Sequence, residues 1–282
     1  MTMRRRAILV LGSLAAVGVV AALVIDSAIR PSHVDTVLMV RSEILDEVRR
    51  VAIRLPERYD ADTGRRYAVL YKLDGDSRLE HYDAAIDVLH RAGASPEIIV
   101  VAIPNAEGQR NRDLTPSSMS QGDEPGGPRG EGGRLLDFIE RELAPQIEAR
   151  FRTTSQRALA GYSRGGLLVV SSLLTHPSLF QARLAFSPAL WREEHRVVRE
   201  AEQFLAATPA LRGLLYMSLG DRENDKMRAA FEDMRHVLGQ VAPAGLEWYA
   251  EDIAGGNHQT APVLAIPSAL GRLARHLATT GS

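Results

Sequence analysis

Short apolar blocks alternate with longer stretches of helical spacing along most of the chain. Thr36–Ser42 and residues 48–55 predict a leading strand pair. Residues 67–73 (YAVLYKL) and 98–103 (IIVVAI) are nearly continuous apolar runs, the pattern of strands covered on both faces. Residues 157–161, Ala182–Phe186, 214–219 and 246–249 predict four further strands. Helical spacing predicts helices at 79–92, at 134–150 (apolar at Leu135, Phe138, Ile139 and Leu143), at Arg164–Thr175, and at 193–206, 223–241 and 261–278. Strands alternating with helices predict an α/β domain with a mostly parallel sheet and helices on both faces. No internal repeat interrupts this order. Residues 104–133 lack a regular pattern and are dense in glycine from Gly122 on, which predicts a mobile surface loop.

The N-terminus has a different pattern. Arg4, Arg5 and Arg6 precede an uncharged run, residues 7–25, that ends at Asp26. As a helix this run would be about 28 Å long, enough to cross a bilayer core. The expectation is an N-terminal membrane-spanning helix within a signal anchor at 1–26, a tether at 27–35, and a catalytic domain at 36–282. Arginines on the cytoplasmic side would leave that domain exported, and secreted if the signal were cleaved.

Composition narrows the chemistry. Of 282 residues, 34 are Lys or Arg and 35 are Asp or Glu, a formal net charge of -1, which argues against a nucleic-acid partner. The chain has no cysteine, so thiolate catalysis, disulfides and zinc-thiolate sites are excluded. A hydrophobic fraction of 45% is enough for a full core and excludes a disordered chain.

One motif carries a candidate reaction. Gly161-Tyr162-Ser163-Arg164-Gly165 fits G-x-S-x-G, and it lies between a predicted strand and a predicted helix. That strand-turn-helix context is what exposes a nucleophilic serine, with glycines on both flanks leaving room for the turn. The alternative is a glycine-rich helix start with a capping serine. A serine nucleophile needs a base, and the base an orienting acid. His258 lies in a loop (GGNH) between the last strand and the last helix, where this chain order puts the base. His81, His90, His195, His236 and His276 read as solvated helix faces, His176 as a helix cap, and His33 as part of the tether. The acid should follow the strand at 214–219, where Asp221, Glu223 and Asp225 are candidates. Their spacing begins like a calcium loop, but Lys226 stands where that loop needs glycine, so no metal is expected. No cofactor motif is present either; a G-K-[ST] phosphate loop is missing.

From about Val48 onward the chain resembles the Putative esterase family of the α/β-hydrolase superfamily, and within it the siderophore (enterobactin and bacillibactin) esterases. The matching stretches are LDGD at 73–76, RDLTP at 112–116, AGYSRGG around Ser163, FSPALW at 186–191 and GGNH at 255–258. The resemblance implies the α/β-hydrolase fold, with Ser163 as nucleophile, His258 as base and Glu223 as the acid. It implies a serine esterase acting on a small-molecule ester, most specifically a catecholate siderophore triester. The oxyanion donors are expected at the backbone of Arg164, the residue after the nucleophile, and at Gly75 or Asp76 after the strand at 67–73. Arg112, Trp191 and Tyr162 are the substrate-binding candidates. Acyl transfer to a sugar, carbohydrate or feruloyl ester hydrolysis, and non-catalytic binding on the same fold are the alternatives.

Overall fold

The computed structural model describes residues 34–94, 96–122 and 127–280. The expected N-terminal anchor and most of the tether lie outside these residues. Among the described residues no helix is long and apolar enough to cross a membrane.

Eight strands form one sheet: β1 (Thr36–Ser42), β2 (Glu47–Arg54), β3 (Tyr67–Lys72), β4 (Ile98–Ala102), β5 (Thr153–Tyr162), β6 (Ala182–Phe186), β7 (Gly213–Gly220) and β8 (Leu246–Ile253). Their spatial order is β1-β2-β4-β3-β5-β6-β7-β8. β1 and β2 pair antiparallel with each other, and β2 pairs antiparallel with β4. Every other pairing is parallel. The expected mostly parallel sheet with helices on both faces is thus present.

The helices are α1 (Leu79–Arg91), α2 (Arg110–Leu114), α3 (Gly132–Phe138), α4 (Ala144–Arg150), α5 (Arg164–Thr175), α6 (Arg192–Ala207), α7 (Asp225–Val241) and α8 (Ala261–Thr280). Side chains on a strand alternate between faces, and both faces of this sheet are buried. On β3, Val69 and Tyr71 point into one apolar cluster, together with Leu135, Leu168, Val197 and Phe231 from α3, α5, α6 and α7. Ala68 and Leu70 point into the other, against Ala85 of α1 and Ala265, Ala269 and Leu273 of α8. Hence β3, β4, β6 and β7 are buried from end to end.

Two expectations need correction. The helix expected at 134–150 contains a π-turn, Ile139–Leu143, between α3 and α4. Pro145 lacks the N–H that would close the α-helical ladder there, and a wider turn absorbs the loss. The segment 104–133 is a packed strap in its described residues. Asp113, Leu114, Thr115, Met119 and Ser120 are buried. Its polar composition conceals this, because its buried charge is matched from outside the segment: Arg49 of β2 pairs with the buried Asp113 at 2.8 Å. The guanidinium of Arg192 donates to the carbonyls of Ser120 and Gly122.

Candidate active site

The site lies beyond the C-terminal ends of β3, β5 and β7, where open parallel sheets gather their ligands. Strand β5 ends in a sharp turn at Ser163, whose backbone is at φ 55°, ψ −112°, and α5 begins at the next residue. A non-glycine residue in that conformation costs on the order of 1–3 kcal/mol, so the surroundings must hold it. They do so by hydrogen bonds: Ser163 N–H donates to Phe186 O at 2.9 Å, and Ala189 N–H donates to Ser163 O at 3.0 Å. A Cβ at Gly161 would lie 2.6 Å from the Gly165 backbone, so that position has no room for a side chain. Gly165 is different from expectation. A Cβ there would be in ordinary contact, with its nearest neighbour, Asp74 Oδ2, at 3.5 Å.

The turn brings Ser163, His258 and Glu223 into one hydrogen-bonded chain. His258 Nε2 lies 3.0 Å from Ser163 Oγ, and His258 Nδ1 lies 2.8 Å from Glu223 Oε2. An ionised carboxylate only accepts, so the His258 proton sits on Nδ1 and the Nε2 lone pair faces the serine. Burial alone would raise the Glu223 carboxyl. Hydrogen bonds from His258 and Ser187, the charge of His258 and the Gly220 N–H outweigh burial and hold it below the ordinary value. Asp221 and Asp225, the other two acid candidates, are exposed. Asn224, not an acid, caps α7 by accepting from Met227 N–H at 3.0 Å.

Ser187 is a site residue that the sequence reasoning missed. Its hydroxyl donates to Glu223 Oε1, and its own backbone is left-handed at φ 42°. The only sequence signal is its place in FSPALW, which had drawn attention to the tryptophan instead.

The histidine loop is fixed by Tyr162. The Tyr162 hydroxyl donates to His258 O at 2.7 Å, and the two rings lie 4.9 Å apart. Burial, more than any other cause, pushes that hydroxyl's pKa up, which keeps it a donor. Arg78 stacks over the Tyr162 ring at 4.2 Å and donates to Gln259.

The remaining candidates divide. Gly75 is corrected as an oxyanion donor: its N–H already donates to Ile103 O at 2.8 Å. A Cβ on Gly75 would collide with the Ile103 backbone at 2.4 Å, so the strand end is pressed tightly against β4. Asp76 is exposed on the same turn, and Arg164 is in the first turn of α5, whose N–H groups point out of the helix end. Arg112 is not brought to the nucleophile turn; its guanidinium binds Asp113 and Glu47. Its neighbour Arg110 is brought there. It forks onto Asp74 at 2.7 and 2.8 Å and reaches Tyr162 O at 3.4 Å. Trp191 is half-buried against the core, flanked by Arg192 at 5.8 Å and Lys226 at 5.6 Å. Among the other histidines, His276 is buried rather than solvated, with Nδ1 3.0 Å from Glu247.

Known proteins share this arrangement of sequence and fold. A model of the family described as Putative esterase matches residues 42–263. The ferri-bacillibactin esterase BesA of Bacillus subtilis is 28% identical over 222 residues, 70% of this chain and 76% of that protein. The siderophore triacetylfusarinine C esterase of Aspergillus fumigatus is 38% identical over 101 residues, 34% of this chain and 32% of that protein. The chain thus spans about a third of the latter relative. The crystal structure of an IroE-like serine hydrolase from Shewanella oneidensis superposes with a TM-score of 0.73 at 28% identity, covering 85% of this chain and 80% of that one.

Proposed function

The chain belongs to the Putative esterase family, and from that premise we propose that it is a carboxylic ester hydrolase using Ser163 as its nucleophile. The observation that carries the proposal is the continuous path from Ser163 Oγ through the His258 ring to the buried Glu223 carboxylate.

The steps follow from that path. His258 Nε2 takes the Ser163 proton as Oγ bonds to the ester carbonyl carbon. The carbonyl π electrons move to oxygen, and Arg164 N–H and Asp76 N–H stabilise the oxyanion. Glu223 stays ionised and stabilises the imidazolium by accepting from Nδ1. Collapse expels the alkoxide, which takes the proton from His258 Nε2 and leaves an acyl group on Ser163. Water then attacks with the same base, releasing the acid and restoring Ser163.

We assign the substrate to the siderophore esters, with catecholate triesters foremost. Two relatives with siderophore esterase names support this, and so do the cations of the site. Arg78 lies over the Tyr162 ring, while Arg110 reaches Tyr162 O forked onto Asp74, so Arg78 is the cation whose charge best suits an anionic, oxygen-rich ester or its iron complex. We also assign the domain to the outside of a membrane, on the pattern of residues 4–26.

The test is a comparison of kcat/KM for ferric and iron-free catecholate triesters, feruloyl sugars and short alkyl p-nitrophenyl esters. The expected order puts a catecholate triester first. A catecholate value no higher than that for alkyl esters removes the siderophore assignment and leaves a general esterase.

A further inference from the structure

Lys72 occupies an unusual place for a cation. It is the last residue of β3, and alternation turns it to the same face as Ala68 and Leu70. That face is the apolar cluster under α1 and α8, and the slot around Lys72 is lined by Tyr82, Phe186, Pro262 and Ile266. The side chain is buried, 3% exposed. Its ammonium is directed at the β3–α1 turn. Nζ donates to Asp74 O at 2.7 Å, to Leu73 O at 3.3 Å and to Ser77 O, which places all three donors on one turn. Nζ also lies 5.7 Å from the Tyr82 ring centroid.

We infer that Lys72 is a positioning residue for the proposed oxyanion turn, holding residues 73–77 so that Asp76 N–H faces the carbonyl attacked by Ser163. The inference rests on the serine hydrolase reading above.

Four observations support it. The turn is strained, with Asp74 at φ 51° and Arg78 at φ 59°, and such conformations persist only when their surroundings over-determine them. Lys72 supplies that constraint from below. Arg110 and Asn105 supply it from the side by binding the Asp74 carboxylate. The turn also abuts the nucleophile helix: a Cβ on Gly165 would meet Asp74 Oδ2 at 3.5 Å and Leu73 Cβ at 3.7 Å, so displacement of the turn displaces the site.

The cost of the arrangement points the same way. An ammonium in an apolar slot is less stable than an apolar side chain of similar size. Desolvation lowers Lys72 to about 8, and the charges of Asp74, Asp76 and Glu80 prevent a larger fall. A side chain that only filled the slot would do better as methionine. Lys72 gives the turn three backbone anchors that methionine cannot.

Activity and stability should therefore separate in Lys72→Met. We expect kcat to fall about 10- to 100-fold, the penalty of a misaligned oxyanion donor, with KM within about threefold. The melting temperature should stay within a few degrees of the parent's, because the desolvation of the ammonium is relieved while the Leu73, Asp74 and Ser77 carbonyls lose their donor. Should Lys72→Met fail to fold, the same quantities are read on Lys72→Gln, which keeps an amide donor and should lose about 3- to 10-fold in kcat. A kcat within twofold of the parent overturns the inference. So does a parallel fall of kcat and melting temperature, which would make Lys72 a structural residue alone. A Ser163→Ala control separates the two claims. If hydrolysis by the parent does not depend on Ser163, the function reading itself fails and the role of Lys72 falls with it.

Discussion

The two ends of the parallel sheet are built from the same strands but to different standards. At the N-terminal end, Arg183 of β6 is fully buried and serves the fold. It donates to the carbonyls of Ser172, His176, Pro177 and Phe180 and to the Ser172 hydroxyl, which closes the C-terminal end of α5. Burial lowers its pKa to about 9, and none of the residues it binds has a positive φ. The C-terminal end is strained. Among the described residues, eight non-glycine positions have positive φ: Asp46, Asp74, Arg78, Ser163, Ser187, Glu193, Glu194 and His195. Asp74, Arg78, Ser163 and Ser187 lie in the turns that follow β3, β5 and β6 at the C-terminal end, whereas Glu193, Glu194 and His195 form a kink in the first turn of α6 and Asp46 lies in the β1–β2 hairpin. Buried cations at one end close a helix, and at the other hold a turn that the fold alone would not choose. Strain at one end is carried by regularity at the other.

The largest effect should come from Ser163→Ala. Loss of the nucleophile is expected to lower kcat by on the order of 10³ or more while the melting temperature stays near that of the parent. Near-normal turnover in the folded variant would break the comparison at its functional end. His258→Ala should be nearly as damaging, and Glu223→Gln milder by about one to two orders of magnitude, because the acid only orients and stabilises the imidazolium. If Asp221→Asn or Asp225→Asn were more severe than Glu223→Gln, the acid would lie on an exposed position, against the buried geometry.

Arg183→Met tests the other end. Five hydrogen bonds vanish and buried carbonyls lose a charged donor, so stability should fall by on the order of 3 kcal/mol. The kcat per folded molecule should remain that of the parent, the reverse of the expectation for Lys72→Met. Equal loss of kcat in the two variants would dissolve the distinction between the ends.

Smaller effects appear in pH dependence. Glu223 is held below the ordinary carboxylate value of 4.5, so its stabilisation is present above that value. It is lost as pH falls through the lower native value, and the melting-temperature gap between parent and Glu223→Gln should close in acid. Lys72 has the opposite chemistry. Its native value near 8 lies below the unfolded 10.5, so the unfolded state binds more protons between the two. Stability of the parent should rise with pH across that window relative to Lys72→Met. Parallel curves for either pair would show that the group is not shifted as the structure requires.

Much of this architecture was legible in the sequence because burial on two faces leaves a simple mark. Residues 98–103 could be read as a covered strand since nothing polar interrupts them. Arg164–Thr175 and Ala182–Phe186 were read with the bounds the structure has. Chain order put Ser163 and His258 at one sheet end and left three acids open after β7; the family resemblance chose Glu223, the one that hydrogen-bonds His258. What stayed illegible depends on direction rather than composition. Arg110 and Arg112 share a five-residue helix, and only its packing decides that Arg110 reaches Tyr162 while Arg112 turns to Glu47. Ser187 reads as an ordinary turn serine until the Glu223 carboxylate is placed above it. The strap looked like a loose loop because its buried Asp113 is matched by Arg49, a residue distant in sequence.

The most direct test of the central claim is to trap the acyl-enzyme. The purified domain is mixed with a slowly hydrolysed aromatic ester, quenched in acid, digested and analysed by mass spectrometry. The account predicts the acyl mass on the peptide containing Ser163, its absence in Ser163→Ala, and its accumulation in a Glu223→Gln variant if deacylation slows more than acylation. Turnover of the ester with no adduct on Ser163, or with the adduct on another residue, would contradict it.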